Sequence, residues 1–200
     1  PREVTFPGPS GSRLVLNAYG DRAVRVRVIR EGESTPPDPE DGIVLRQTFG
    51  AGFARSESEG AVELRLGGGG SVLVHSDTLA IDARFGGKTV LSVKAPNLVG
   101  ARVQDFVADD TERFAGVGHG FFGRVDKLDL SGTEVTRTYA RGTFQQAPLV
   151  VPFFVSSKRY GVLVNSDLDT TFSFRTARGY GFRLPEVEAS HLDYFVFLGE

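Results

Sequence analysis

The chain has no cysteine, no methionine and no tryptophan among its 200 residues. Without cysteine there can be no disulfide framework, no thiolate metal site and no cysteine nucleophile, which fits a reducing compartment, and a cytoplasmic location is expected. No apolar run approaches the roughly 18 residues of a membrane-spanning helix, and the N-terminus lacks the charged, then apolar, then small-residue pattern of a signal peptide. With no methionine to start translation, Pro1 is expected to be an internal or trimmed start. Charge of one sign is also lacking. The 23 basic and 25 acidic residues are spread along the chain and leave a formal charge of -2, with no basic block to track phosphates. Neither nucleic acid nor membrane is an expected partner. Helical periodicity is nearly missing too, since apolar residues at i, i+3, i+4, i+7 are not sustained anywhere for three turns.

What is present is a period of two, punctuated by 25 glycines and 10 prolines. In Ala23 to Ile29 the valines Val24, Val26 and Val28 alternate with Arg25 and Arg27, which predicts a half-buried strand with its arginines on the outer face. Strands are likewise predicted at 14–18, 61–66, 71–75, 79–85, 127–130, 134–139, 149–155, 161–165, 171–174 and 192–197, each bounded by turn residues. Gly86 and Gly87 read as a two-residue hairpin. Gly32 to Gly42, rich in proline and acid, and Gly67 to Gly70 read as loops rather than domain linkers. The fold class is therefore all-β, a mostly antiparallel sandwich or barrel, and residues 1–200 are expected to be one domain.

Candidates for chemistry are diffuse. Hydrolysis of a glycosidic bond needs two facing carboxyls. Asp105, Asp109, Asp110, Glu112, Asp126 and Asp129 are available, with a solvated strand edge or turn as their default reading. His75, His119 and His191 show no metal-ligand spacing, and no metal or other cofactor is expected. Gly116, Gly118, Gly120 and Gly123 resemble a phosphate loop, but no helix follows to supply the anion-binding terminus, so close backbone packing is the better reading. Aromatic faces bind sugar C–H surfaces, and Phe121, Phe122, Tyr139, Phe144, Tyr160, Tyr180 and Phe182 lie near glycine-rich turns; core packing is the alternative for each except Phe144. Phe144, Gln145 and Gln146 stand in a segment suited to a ligand-reaching loop. His119 between two glycines is a further ligand-facing candidate, with Phe121 and Phe122 beside it.

The C-terminal half carries a more specific pattern. Glu112-Arg113-Phe114-Ala115-Gly116-Val117-Gly118 resembles the E-R-F-x-G-x-G opening of family 31 α-glucosidases and α-xylosidases. Val151-Pro152-Phe153-Phe154-Val155-Ser156 and the following Tyr160-Gly161-Val162-Leu163-Val164-Asn165 resemble that family's I-P-F-F-x-S and G-Y-G-V-x-V-N hairpin. Leu192 to Gly199 resembles the strand that hands over to the catalytic domain. The resemblance covers about residues 110 to 200. Within it, His119 replaces the glutamate that frequently follows Gly-x-Gly.

That resemblance implies a galactose-mutarotase-like β-sandwich (a supersandwich), the non-catalytic N-terminal domain of a glycoside hydrolase. Its expected partner is a C-terminal (β/α)8 barrel beyond residue 200, whose aspartates carry the chemistry. By resemblance, the loop Tyr139 to Pro148, with Tyr139, Arg141, Phe144, Gln145 and Gln146, reaches the substrate pocket. The intact parent is expected to hydrolyse an oligosaccharide or α-glycoside and to form a homo-oligomer, and the chain alone is expected to be inactive. A stand-alone carbohydrate-binding sandwich and an aldose 1-epimerase-like enzyme are the alternatives, the latter requiring a histidine acid and a carboxylate base on one sugar face.

Overall fold

The structure, a computed structural model, describes residues 1–33, 50–97, 102–118, 128–137, 151–166, 168–185 and 191–199. Its strands are β1 (Glu3–Pro7), β2 (Arg13–Ala18), β3 (Ala23–Ile29), β4 (Ala54–Ser58), β5 (Ala61–Arg65), β6 (Gly70–His75), β7 (Ile81–Phe85) and β8 (Lys88–Val93). They continue as β9 (Val103–Val107), β10 (Phe114–Gly116), β11 (Thr133–Arg137), β12 (Phe153–Ser156), β13 (Tyr160–Val164), β14 (Thr170–Thr176), β15 (Gly179–Arg183) and β16 (His191–Leu198). Among the described residues there is no α-helix, and a single 3-10 turn spans Pro9–Gly11.

The alternation read from the sequence becomes two sheets. One has seven strands in the order β1-β2-β3-β16-β13-β12-β10, the other nine in the order β11-β14-β15-β9-β8-β7-β6-β5-β4. All the described pairings are antiparallel. Val24, Val26 and Val28 of β3 and Leu192, Tyr194 and Val196 of β16 join one buried apolar cluster with Leu64, Val74, Phe106, Phe172 and Phe182 of the opposite sheet. The architecture is thus a two-sheet antiparallel β-sandwich.

Aromatic rings fill the end of the sandwich that holds the C-terminal strands. Phe114 lies 4.6 Å from Tyr180, Phe154 meets Phe174 edge-on at 5.2 Å, and Phe182 meets Tyr194 edge-on at 5.4 Å. Such offset and edge contacts follow the ring quadrupole, and each pair spans the gap between the two sheets. Tyr194, fully buried, satisfies its hydroxyl by donating to Gln104 Oε1 at 3.3 Å.

Two expectations are corrected. Strand β3 is buried on both faces, because Arg25 and Arg27, only 6% and 5% exposed, lie in a polar layer on the outer side of the seven-stranded sheet. The Arg25 guanidinium donates bidentately to the Asp193 carboxylate at 2.9 and 2.6 Å, and Asn165 donates to the same group at 2.7 Å. Arg27 donates to Asn17 and Glu3 at 2.8 and 3.0 Å. The predicted strand at 127–130 is also not formed over its described residues 128–130. Asp129 Oδ1 there accepts hydrogen bonds from the backbone N–H groups of Ser131 and Phe114 and from the Ser131 hydroxyl, which bends the chain into a turn.

Candidate functional site

The residues predicted to face a ligand, His119, Phe121 and Phe122 and the loop residues Tyr139, Arg141, Phe144, Gln145 and Gln146, lie outside the described residues, as does Asp126. What the structure does describe is where those two segments leave the sandwich, and it brings the exits together. The Val117 amide donates to the Phe153 carbonyl at 2.6 Å. The Arg137 guanidinium, at the end of β11, donates from Nε to the Val117 carbonyl and from Nη2 to the Gly118 carbonyl at 3.3 Å. Gly118 immediately precedes His119, Arg137 stands two residues before Tyr139, and Phe153 follows the predicted loop. One side chain therefore ties the stems of both predicted segments.

The backbone explains the glycines there. Gly116 has φ +127°, and a Cβ on it would sit 2.6 Å from the Phe153 carbonyl oxygen. Only glycine permits that approach between β10 and β12. Val117, with φ 57°, takes a left-handed conformation that is uncommon for a β-branched residue, and it is fully buried. The close-packing reading of this glycine run therefore holds at Gly116. Burial lowers the Arg137 pKa from its usual value, though a guanidinium remains charged at any physiological pH.

Behind this stem lies a buried polar cluster that sequence reasoning missed. Glu112, 2% exposed, is not the solvated turn carboxylate expected of it. Its Oε1 accepts hydrogen bonds from the Ser156 hydroxyl and, at 2.6 Å, from the Tyr160 hydroxyl. Its Oε2 accepts the Asp109 amide at 3.4 Å. Because Tyr160 donates to Glu112, the hydrogen between Tyr160 and Tyr180 comes from Tyr180. Tyr160 belongs to the seven-stranded sheet and Tyr180 to the nine-stranded one, so the relay crosses the sandwich. Burial, reinforced by hydrogen bonding to the Glu112 carboxylate, pushes the Tyr160 hydroxyl far above the normal phenol range, and burial does the same for Tyr180. Tyr160, Tyr180 and Phe182 are all buried, which assigns them to the core and not to a sugar platform.

The remaining described carboxylates that sequence reading offered hold backbone in place or lie open. Asp109 accepts from the Thr111 hydroxyl and amide and from Lys158 Nζ, and these bonds hold its carboxyl well below the usual range. Asp129 is lowered by its bonds to Ser131 and Phe114. Asp105 is exposed on β9, and the Asp110 carbonyl accepts from Arg175. His75 Nε2 meets Asp82 Oδ2 at 3.0 Å, with Ser92 donating to the other oxygen at 2.6 Å; the carboxylate stands between the two, so the Ser92 hydroxyl is not bonded to the imidazole as a nucleophile would be. Burial lowers His191. Among the described residues no three acidic or histidine side chains form a metal-binding group.

No family model matches the sequence, and no curated protein matches it either. Solved structures do. A Flavobacterium johnsoniae GH31 dextranase complexed with isomaltotriose superposes over 100% of this chain and 25% of its own, with a TM-score of 0.78 at 18% identity. A GH31 α-xylosidase from a soil metagenome, complexed with xylose, covers 100% of this chain and 32% of its own, with a TM-score of 0.73 at 19% identity. This fold is one that GH31 enzymes contain.

The cycloalternan-forming enzyme of Listeria monocytogenes, in complex with a pentasaccharide substrate, also matches over 100% of this chain and 20% of its own, with a TM-score of 0.74 at 21% identity. The chain thus spans between a fifth and a third of the length of these structures, and its sandwich corresponds to one portion of each GH31 chain.

Proposed function

We propose that the chain is the non-catalytic N-terminal sandwich of a GH31 α-glycoside hydrolase, packing on a catalytic barrel and lending the loop Tyr139 to Pro148 to its substrate pocket. The observation that carries this reading is the match over the whole of this chain to a minor part of two GH31 enzymes. Two features of the molecule support it. The carboxylates Glu112, Asp109 and Asp129 are committed to hydroxyl, amide and ammonium donors inside the domain, which is the behaviour of scaffold groups. And Arg137 clamps the stem of the loop that the family resemblance sends toward the substrate pocket to the stem of the segment that holds the ligand-facing candidate His119.

The contact with the barrel is assigned to the outer face of the seven-stranded sheet around Phe153, Val155 and Phe197. Val155 is 44% exposed, and Phe153 meets Phe197 edge-on at 5.9 Å. Grooves of about 320 and 380 Å³ flank Phe197, and Gly199 lines the first of them. An apolar strip of this kind beside the end of β16 suits a covalently following domain.

Reading the gene downstream of the Glu200 codon tests the assignment. A barrel with an aspartate at a strand end is the expected finding, and an immediate stop codon would favour a stand-alone carbohydrate-binding module. In the complete protein, Val155→Asp should loosen the contact and expose residues 1–200 to separate proteolytic release, whereas unchanged resistance would place the interface elsewhere.

A further inference from the structure

At one end of the sandwich the β7–β8 hairpin of the nine-stranded sheet and the β12–β13 hairpin of the seven-stranded sheet face each other across a cleft of about 570 Å³. This volume falls in the range of roughly 300–1,000 Å³ found for small-molecule sites. Lys88 and Thr89 come from the first hairpin, and Ser157, Lys158 and Arg159 from the second. None of the described residues that line the cleft is acidic, although the chain as a whole carries a formal charge of -2.

Lys158 is half neutralised, since its Nζ lies 3.1 Å from the partly exposed Asp109 carboxylate. Lys88 and Arg159, by contrast, are exposed and make no side-chain hydrogen bond or ion pair with any described residue. They sit on opposite walls, one from each sheet. Arg159 occupies a left-handed backbone position, φ 69°, at the hairpin tip, where glycine is the ordinary choice. The floor includes Phe85, over whose ring Arg22 sits at 5.5 Å, adding a further cation at its border. Thr89 and Ser157 also line the cleft, and the Ser157 hydroxyl, which accepts from the Arg113 amide at 3.0 Å, still has its hydrogen to donate.

We propose that this cleft is a binding site for an acidic sugar unit, a hexuronate within an oligosaccharide. The carboxylate of such a ligand would meet Lys88 and Arg159, and its ring hydroxyls Thr89 and Ser157. The arginine fork suits a planar carboxylate in particular. The site adjoins the Phe153 and Phe197 face, because Arg159 lines the groove there as well, and in a complete protein its use rests on Arg159 staying open beside the proposed barrel contact, whereas Lys88 lies on the opposite wall.

Isothermal titration of the chain with an oligogalacturonate, with a neutral oligosaccharide of the same length and with inorganic phosphate tests the proposal. Binding of the oligogalacturonate that weakens with added salt is expected, with neither of the other two binding comparably. Lys88→Gln and Arg159→Gln should each weaken it roughly tenfold, the value of one charge-assisted hydrogen bond, while Lys94→Gln, an exposed charge outside the cleft, should leave it unchanged. Amide shifts on titration should be confined to the two hairpin tips, a readout that needs no variant. Absence of oligogalacturonate binding, equal binding of the neutral sugar, equally tight binding of phosphate alone, or indifference to both glutamine substitutions would each overturn the assignment.

Discussion

The Tyr160 hydroxyl donates to the buried Glu112 carboxylate at 2.6 Å and in turn accepts from Tyr180 on the opposite sheet. A carboxylate withdrawn from water is costly unless it is well hydrogen-bonded. Here hydroxyls from Ser156 and Tyr160 and an amide from Asp109 supply those bonds and fasten the segment before β10 to both layers.

Tyr160→Phe should therefore destabilise the sandwich by about 1.5–3 kcal/mol, the worth of a hydrogen bond to a charged acceptor. Glu112→Ala should cost at least as much, because it strands both hydroxyls. Urea unfolding with an unchanged m value measures both. A loss below about 0.5 kcal/mol for each would remove the relay from the account of stability.

The same tyrosines set an alkaline limit. Burial raises Tyr160, Tyr180 and Tyr194 above the ordinary value of 10.0. In the folded chain they stay protonated where the unfolded chain would ionise, so their contribution is complete below pH 10 and declines as the pH rises beyond it. Tyrosinate absorbance of these three residues should appear together with the loss of β-sheet circular dichroism, not before it.

His191 acts at the other end. Burial lowers its pKa below 6.5, so between the folded and unfolded values the unfolded chain binds the extra proton, and stability falls as the pH drops below 6.5. His191→Gln should flatten this part of the stability profile. The lowered carboxyl of Asp82 withdraws its contribution only at more acidic pH, below 3.8.

Arg25 and Asp193 form a bidentate pair whose side chains are 7% and 5% exposed. Breaking it with Asp193→Leu alone should cost about 3–5 kcal/mol, whereas pairing that change with Arg25→Leu should recover much of the loss. A double-mutant cycle on unfolding free energies checks this, and additive losses would contradict it.

Gly116→Ala places a methyl 2.6 Å from the Phe153 carbonyl oxygen. The backbone conformation alone should cost roughly 1–3 kcal/mol. Gly60→Ala, also at positive φ but with nothing within 4 Å of the new carbon, should cost less, and thermal unfolding of the two variants compares them.

Much of this fold is legible in the sequence because period-two alternation reports one buried face directly, as in Val24, Val26 and Val28 against Arg25 and Arg27. The signal fails where a side chain overrides the pattern. Asp129 captures amides and makes a turn where Lys127 to Leu130 suggests a strand. Strand β10 has only three residues, too few to show a period. β1, β4, β9 and β15 also escaped: β4 has no buried residue, and in β15 Gly179 and Gly181 stand where alternating side chains would. The burial of both faces of β3 depends on Asp193, far along the chain, and nothing local to Arg25 announces it. Glu112 was hidden for the same reason. Its partners Ser156 and Tyr160 lie more than forty residues away, yet all three belong to the segments that resemble family 31 enzymes, and that was the available clue. The predicted pocket residues themselves lie outside the described residues.

Hydrolysis of an aryl α-glycoside, measured for the 200-residue chain alone and for the complete protein that carries it, tests the central reading most directly. The account predicts turnover by the complete protein and none by the chain. Turnover by these 200 residues alone would contradict it.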